Sequence, residues 1–381
     1  MVDKTIVFGL VLALAASLPT SGARAQAMET PARNAHIVDL STNTVLLSKA
    51  DDVPMPPASM SKLMTVYMVF DRIKKGTLSL EDKFLVSENA WKKGGSKMFV
   101  QVGDRVSVSD LLRGIIVQSG NDACIVIAEG IAGSEEAFAD MMTRRGKEIG
   151  LRESTFANST GWPDPQHRMS ARDLATLAHR LITEFPDLYP LYSETSFTFS
   201  KIKQGNRNPL LYQNIGADGL KTGHTEEAGY GLTGSAKQGD RRIVLVLNGM
   251  ESVRQRSQES LRLMEWAFRA FDAYSFFKNG EEVARADVWL GTEKTVPLLI
   301  QQDLDLTLRR ETRTGLTMKV RMMEPVPAPI KKGTPIATLV VSGPGFAGAE
   351  IPLVAGADIG ELGFVGRIGA AIRHVVWGQA S

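Results

Sequence analysis

Disulfides, metal centres and membrane spans have little to be built from in this sequence. Cys124 is the only cysteine among 381 residues, so no intrachain disulfide can form even in an oxidising compartment. A large core must hold the fold unaided, which a chain of this size can manage. The five histidines, His36, His167, His179, His224 and His374, are scattered with no pair at metal-ligand spacing, so neither a zinc site nor any other cofactor is expected. Charge of one sign is also lacking. Lys and Arg number 44 against 42 Asp and Glu, and a net charge of +2 implies no nucleic-acid partner. No internal repeat or low-complexity tract occurs. What remains is 43% hydrophobic and 23% charged, an ordinary globular composition sufficient for two domains.

The first 25 residues have the pattern of a secretory leader. Lys4 lies in a short n-region, an apolar run follows from Thr5 to Leu18, and Ala23-Arg24-Ala25 or Ala25-Gln26-Ala27 supplies a cleavage site. The apolar run is shorter than the roughly 20 residues a spanning helix needs, so export is expected in place of an N-terminal anchor.

Chemistry concentrates first at Ser59-Met60-Ser61-Lys62. A Pro54-Met55-Pro56-Pro57-Ala58 run cannot be helical, and the segment Met60 to Lys75 reads as a helix closed by Gly76. Ser59 then sits at a helix N-terminus with Lys62 on the same face. A free hydroxyl is a poor nucleophile, and a neutral lysine within reach can take its proton where burial or a second cation lowers the lysine pKa. Unpaired N–H groups of the first turn favour negative charge on the attacked carbonyl. Alone, the motif is weak and reads more simply as a serine cap and a solvated lysine.

Along the chain, His36–Leu40 and Val45–Ser48 read as a hairpin around Ser41-Thr42-Asn43-Thr44. Met60, Leu63, Met64, Tyr67 and Met68 recur at helical spacing. Val108 to Gly133 is apolar and helical, interrupted by Ser119-Gly120-Asn121, a short loop facing a cleft or simply the surface. Asn158 to His167 is an irregular loop, and Ser170 caps a helix from Ala171 to Thr183. Asp218–Thr225 leads into strands Gly229–Ala236 and Ile243–Asn248, and Ser257–Tyr274 reads as a helix packed on that sheet. A mixed α/β domain is therefore expected over residues 28–275. From 276 to 358 short β-prone runs alternate with Gly and Pro turns, the texture of a small all-β domain. The tail, 359–381, places Val365, Ile368, Ile372, Val375 and Val376 on one helical face beside Arg367, Arg373 and His374. That pattern suits an amphipathic helix in a membrane interface, and equally one docked on the protein's own core.

Ser59-x-x-Lys62, Ser119-Gly-Asn121 and Lys221-Thr222-Gly223, in that order, form the pattern of penicillin-recognising acyl-serine enzymes. Ser119 can relay a proton between Lys62 and Lys221, and the two cations depress each other's pKa. Lys221 and Gly223 project to one side of a strand, where a glycine lets a substrate backbone approach. The N–H groups of Ser59 and His224 can form an oxyanion hole.

Through Pro57-Ala58-Ser59-Met60-Ser61-Lys62, Gln118-Ser119-Gly120-Asn121-Asp122-Ala123-Cys124 and Asp218-Gly219-Leu220-Lys221-Thr222-Gly223-His224-Thr225, the chain resembles the D-alanyl-D-alanine carboxypeptidases, low-molecular-mass penicillin-binding proteins of the type of penicillin-binding protein 5. The likeness runs from about Ala35 to Tyr274 and more weakly beyond. It implies a β-lactamase-like serine transpeptidase fold, followed by a β-rich domain and an amphipathic anchoring helix. The implied activity is a Ser59 acyl-enzyme formed on peptidoglycan stem peptides ending in D-Ala-D-Ala, blocked by β-lactam antibiotics, at the periplasmic face of the inner membrane. By position, Asn121 is implied to bind the substrate amide and Arg256 its carboxylate, for which a bidentate fork is suited. Arg207 is a further arginine of this kind, Asp173 matches a structural helix position, and Cys124 reads as a buried apolar residue.

Class A β-lactamases share the three motifs but add a Glu-x-x-Leu-Asn loop, and no such run lies between Asp122 and Leu220. Two further readings are a D,D-endopeptidase on cross-links and a cell-wall binding protein without turnover. The presence of every nominated catalytic residue argues against the last.

Overall fold

The protein is described from a computed structural model over residues 2–6, 28–343 and 346–363. It divides into two compact units, Met28–Arg269 and the chain from Ala270 together with the N-terminal residues.

The first unit is built on a five-stranded sheet ordered Thr44–Lys49, Asn34–Asp39, Arg241–Met250, Gly229–Gln238, Ala217–Thr225, with every neighbouring pair antiparallel. The first two strands are the hairpin expected from sequence. Strand period two sorts the sheet's residues by face. Val244 and Val246 join the large helical core, while Ile243, Leu245 and Leu247 are fully buried on the other side. There the helix Val253–Ala270 buries Leu263, Met264 and Ala267, and Arg241 reaches the Ala267 and Phe268 carbonyls at 3.4 Å.

Five helices form the remaining layer: Lys62–Lys74, Val108–Ile116, Asn121–Ala132, Glu135–Glu148 and Ala171–Glu184. Three start on a serine that accepts a backbone N–H: Ser107 from Asp110 at 3.1 Å, Ser134 from Ala137 at 3.1 Å and Ser170 from Asp173 at 3.0 Å. Each has an acid in its first turn, complementing the dipole, and each cap contributes about 1 kcal/mol. Lys62–Lys74 is buried without a break from Lys62 to Phe70, and Asn121–Ala132 from Asn121 to Ala128. Helices buried all round lie at the centre of a domain. Methionines 60, 64, 68, 98, 142 and 169 fill the irregular spaces between them.

The helix expected over Ser257–Tyr274 runs instead over Val253–Ala270 and gives way to a strand, Phe271–Phe277, paired with Leu304–Arg309. Phe271 and Tyr274 are three apart, which fits a helical face, so periodicity carried the expectation too far. The unit boundary accordingly falls at Arg269, short of the expected 275.

The second unit is all β around a core of Ala286, Val296, Leu298, Ile300, Val320, Leu339, Val341, Leu353 and neighbours. Its seven-stranded sheet is antiparallel except for the short parallel pairing of Val326–Pro327 with Glu282–Trp289. Four of the sheet's strands were expected from β-prone runs, as was Leu304–Arg309 outside it, whereas Val2–Ile6, Phe346–Ala355 and the two-residue strand were not. Val2–Ile6 occupies one edge of this sheet, pairing with Met318–Met322. The amphipathic pattern of the tail lies outside the described residues beyond Gly363.

Candidate active site

The proline run ahead of Ser59 excludes helix upstream, and a single 3-10 turn, Ala58–Ser61, leads into Lys62–Lys74. Ala58 has φ of +48°, a left-handed conformation that costs an alanine roughly 1–3 kcal/mol. Between Ala58 and Lys62 every residue is buried except Ser59, which is half-buried. The turn thus offers solvent one hydroxyl.

Behind it, Lys62 is completely buried, and its Nζ bonds Ser59 Oγ at 2.8 Å and the Thr160 carbonyl at 2.5 Å. No carboxylate pairs with it among the described residues. Burial pushes its pKa down to about 8, with smaller influences of mixed sign, upward from Cys124 and Glu135, downward from Arg207 and Lys93. A tenth or so of the amine is therefore neutral at pH 7, when it can accept the serine proton across the same contact.

Ser119 stands in the short link between Val108–Ile116 and Asn121–Ala132, at φ +60° and 2% exposure. The loop is buried and is therefore no surface turn. Its Oγ accepts from Lys221 Nζ at 2.9 Å, and that amine also bonds the Thr222 carbonyl at 3.2 Å. Lys221 is buried and its pKa falls well below the ordinary range, first through burial and then through repulsion by Lys62. Desolvation, more than the mutual repulsion expected from sequence, is what lowers both lysines. Two hydroxyl–amine pairs result, one on each side of the site.

Asn121 carries the second motif's amide. Its side-chain Nδ2 donates to the Gly94 carbonyl at 2.9 Å and its backbone N–H to Ser96 at 2.7 Å, so it also fastens the loop 93–96. The next residue, Asp122, is buried and accepts from the backbone of Met98, Phe99 and Ala123 at 2.9–3.0 Å. Arg207 bonds Ser96 Oγ at 2.7 Å on the same loop.

The third motif lies on Ala217–Thr225, at one edge of the sheet. Thr222 is buried and His224 exposed. Gly223 was expected to make room for substrate, but a Cβ there would meet Pro57 O at 2.9 Å and Ala58 Cβ at 3.2 Å. The glycine first of all lets the strand close on the serine turn. His224 stacks on Tyr230, ring centroids 3.9 Å apart, and Arg256 lies with Cζ 5.9 Å from the same ring. Arg256 is 7% exposed, and burial brings its pKa down to about 10. Asp173 lies apart from these groups, accepting from the Arg152 and Glu153 N–H groups and from Ser154 Oγ. Cys124 is fully buried, and burial pushes its thiol up to about 12.

Sequence reasoning missed the segment 158–162. Asn158 Oδ1 accepts from the Gly161 and Trp162 N–H groups at 2.8 and 3.0 Å and from Thr160 Oγ1 at 2.9 Å. That side-chain turn aims the Thr160 carbonyl at Lys62. Gly161, at φ +76°, comes so close that a Cβ would lie 2.0 Å from Ala58 O. An Asn followed three residues later by Gly is a readable turn signal, although its target is not.

Residues 21–252 match the family described as Peptidase_S11, D-alanyl-D-alanine carboxypeptidase. The chain belongs to that family. Residues 271–361 match the C-terminal domain of penicillin-binding protein 5. The chain is similar to the D-alanyl-D-alanine carboxypeptidase DacC of Escherichia coli, 37% identical over 361 residues that cover 92% of this chain and 90% of the relative. Penicillin-binding protein 5 of Haemophilus influenzae superposes with a TM-score of 0.77 at 34% identity, covering 88% of this chain and 99% of that one. The ampicillin-bound form of penicillin-binding protein D2 from Listeria monocytogenes gives a TM-score of 0.58 at 27% identity, covering 64% of this chain and 99% of that one. This family member has the fold of the penicillin-binding proteins, an α/β catalytic domain with a C-terminal all-β domain.

Proposed function

We propose that this carboxypeptidase removes the terminal D-alanine of peptidoglycan stem peptides through an acyl-enzyme on Ser59. The observation that carries the reading is the pairing of a half-buried serine with a buried lysine, 2.8 Å away, that no carboxylate among the described residues neutralises. Neutral Lys62 takes the Ser59 proton as Oγ bonds to the carbonyl carbon of the penultimate residue. The backbone N–H groups of Ser59 and His224 receive the oxyanion. Ser119, bonded to Lys221, passes a proton to the departing amine of D-alanine. Water then cleaves the ester and restores the serine. Asn121 holds the substrate amide, and Thr222 and Arg256 the terminal carboxylate. A β-lactam enters by the same attack on its ring carbonyl, as penicillin labelling would report.

A β-lactamase of class A activates its water with a glutamate from a Glu-x-x-Leu-Asn run, which this sequence lacks between Asp122 and Leu220. That contrast disfavours rapid drug hydrolysis. The leader pattern and the cell-wall substrate support export to the periplasm, and the tail's amphipathic pattern supports peripheral attachment to the inner membrane.

The test is to incubate purified protein with a pentapeptide ending in D-Ala-D-Ala, following free D-alanine beside fluorescent penicillin labelling. D-alanine release in the native protein and neither signal in Ser59→Ala is expected. Labelling without any release would leave a cell-wall binding protein in place of an enzyme.

A further inference from the structure

Arg256 is a buried guanidinium that nothing among the described residues neutralises. It lies on the helix Val253–Ala270, it is 7% exposed, and among the described residues its side chain makes no hydrogen bond and no ion pair. Its Nε is fully enclosed and unsatisfied. Elsewhere in this unit several half-buried arginines are fixed by carboxylates, as Arg241 is by Asp39 at 2.9 Å and Arg242 by Asp218 at 2.8 Å. Arg256 instead has the face of Tyr230, 5.9 Å from ring centroid to Cζ. Tyr230 belongs to Gly229–Gln238, next to the Lys221 strand, where its register partner is His224, and the two rings stack at 3.9 Å. One ring therefore spans two strands and the helix that brings the arginine.

A carboxylate beside Arg256 would orient it but would consume the fork and cancel the charge that a substrate carboxylate needs. An aromatic face orients a guanidinium through its quadrupole and leaves the N–H donors free. We propose that Tyr230 is the positioning residue for Arg256, holding it by its ring face and so setting selectivity for ligands with a free terminal carboxylate. The phenol is not required; the ring is. This inference rests on the assignment of Arg256 to the substrate carboxylate.

The test uses the full-length protein in three single variants, Tyr230→Leu, Tyr230→Phe and Arg256→Ala, and one double variant, Tyr230→Leu/Arg256→Ala. Each is assayed on a D-Ala-D-Ala peptide and on the same peptide with its C-terminus amidated, with penicillin labelling and thermal melting alongside. A cation–ring contact of this kind corresponds to roughly 2- to 30-fold, so Tyr230→Leu should lower kcat/KM on the free acid by that factor, mainly through KM. The amide should change much less, and Tyr230→Phe should retain most of the selectivity. In the double variant the two losses should not add. Equal losses on acid and amide in Tyr230→Leu, while Arg256→Ala loses mainly on the acid, would overturn the inference and assign Tyr230 to the strand or to His224. Equal losses in Arg256→Ala itself would instead overturn the carboxylate assignment beneath it.

Discussion

Lys62 is a cation placed where a cation is least welcome, and its chemistry follows from that. Burial favours the neutral amine, which is the form a general base must have. The acylation rate should therefore rise with pH along a limb centred near 8, read as the rate of penicillin labelling. A profile without an inflection in that region would assign the proton to another group. Lys62→Ala should lower labelling by about 10²–10⁴-fold with the fold intact by circular dichroism. Linkage has a definite sign here. The folded pKa lies below the unfolded value of a lysine, so the unfolded state binds more protons as pH climbs above about 8, and Lys62 contributes increasing stability over that range. Urea midpoints measured on either side of pH 8 should show that rise, and Lys62→Met should flatten it.

The next scale is the pair of backbone elements that clasp the serine turn. Gly161 presses on Ala58 from the 158–162 loop, and Gly223 presses on Pro57 and Ala58 from the edge strand. Gly161→Ala would force a side chain into a left-handed conformation and against a backbone carbonyl. The strain alone is of order 1–3 kcal/mol, and the clash adds to it. A fall in unfolding free energy of at least about 2 kcal/mol is expected, together with loss of penicillin labelling. Native stability and labelling in the Gly161→Ala variant would show that the loop shifts freely, and Thr160 would then be no essential partner of Lys62. Asn158→Ala should act in the same direction but more mildly, since it removes the side-chain turn and leaves the glycine in place.

For the molecule as a whole, the ends of the chain invite the clearest experiment. Among the described residues Val2–Ile6 pairs only with the edge of the second unit's sheet, so cleavage of a 25-residue leader would leave the other six strands with their partners. The mature chain should fold without it, and amides of Thr317–Met322 should exchange faster than in the uncleaved protein. Unfolding of the second unit on removal of residues 1–25 would make that strand a structural part. On the proposed peripheral attachment, deleting residues after Gly363 should move the protein from the membrane fraction to the soluble one. Unchanged partition would favour a tail helix docked on the protein.

The three motifs, their order, the serine-to-lysine spacing on one helix and the alternation of the sheet strands were all legible along the chain, because each is a local pattern. The hairpin Asn34–Lys49 and the cap at Ser170 belong to the same class. The end of the helix at Ala270 was not, since Phe271 and Tyr274 keep a helical spacing although the chain there has already turned to strand. Nor could local pattern reveal that the Thr160 carbonyl, 98 residues away, completes Lys62, or that Gly223 serves the packing of the serine turn. The lysine pKa, the free fork of Arg256 and the ring of Tyr230 beneath it depend on what surrounds each group in space. Burial and charge are summed over neighbours from every part of the chain, and only the tertiary structure decides who those neighbours are.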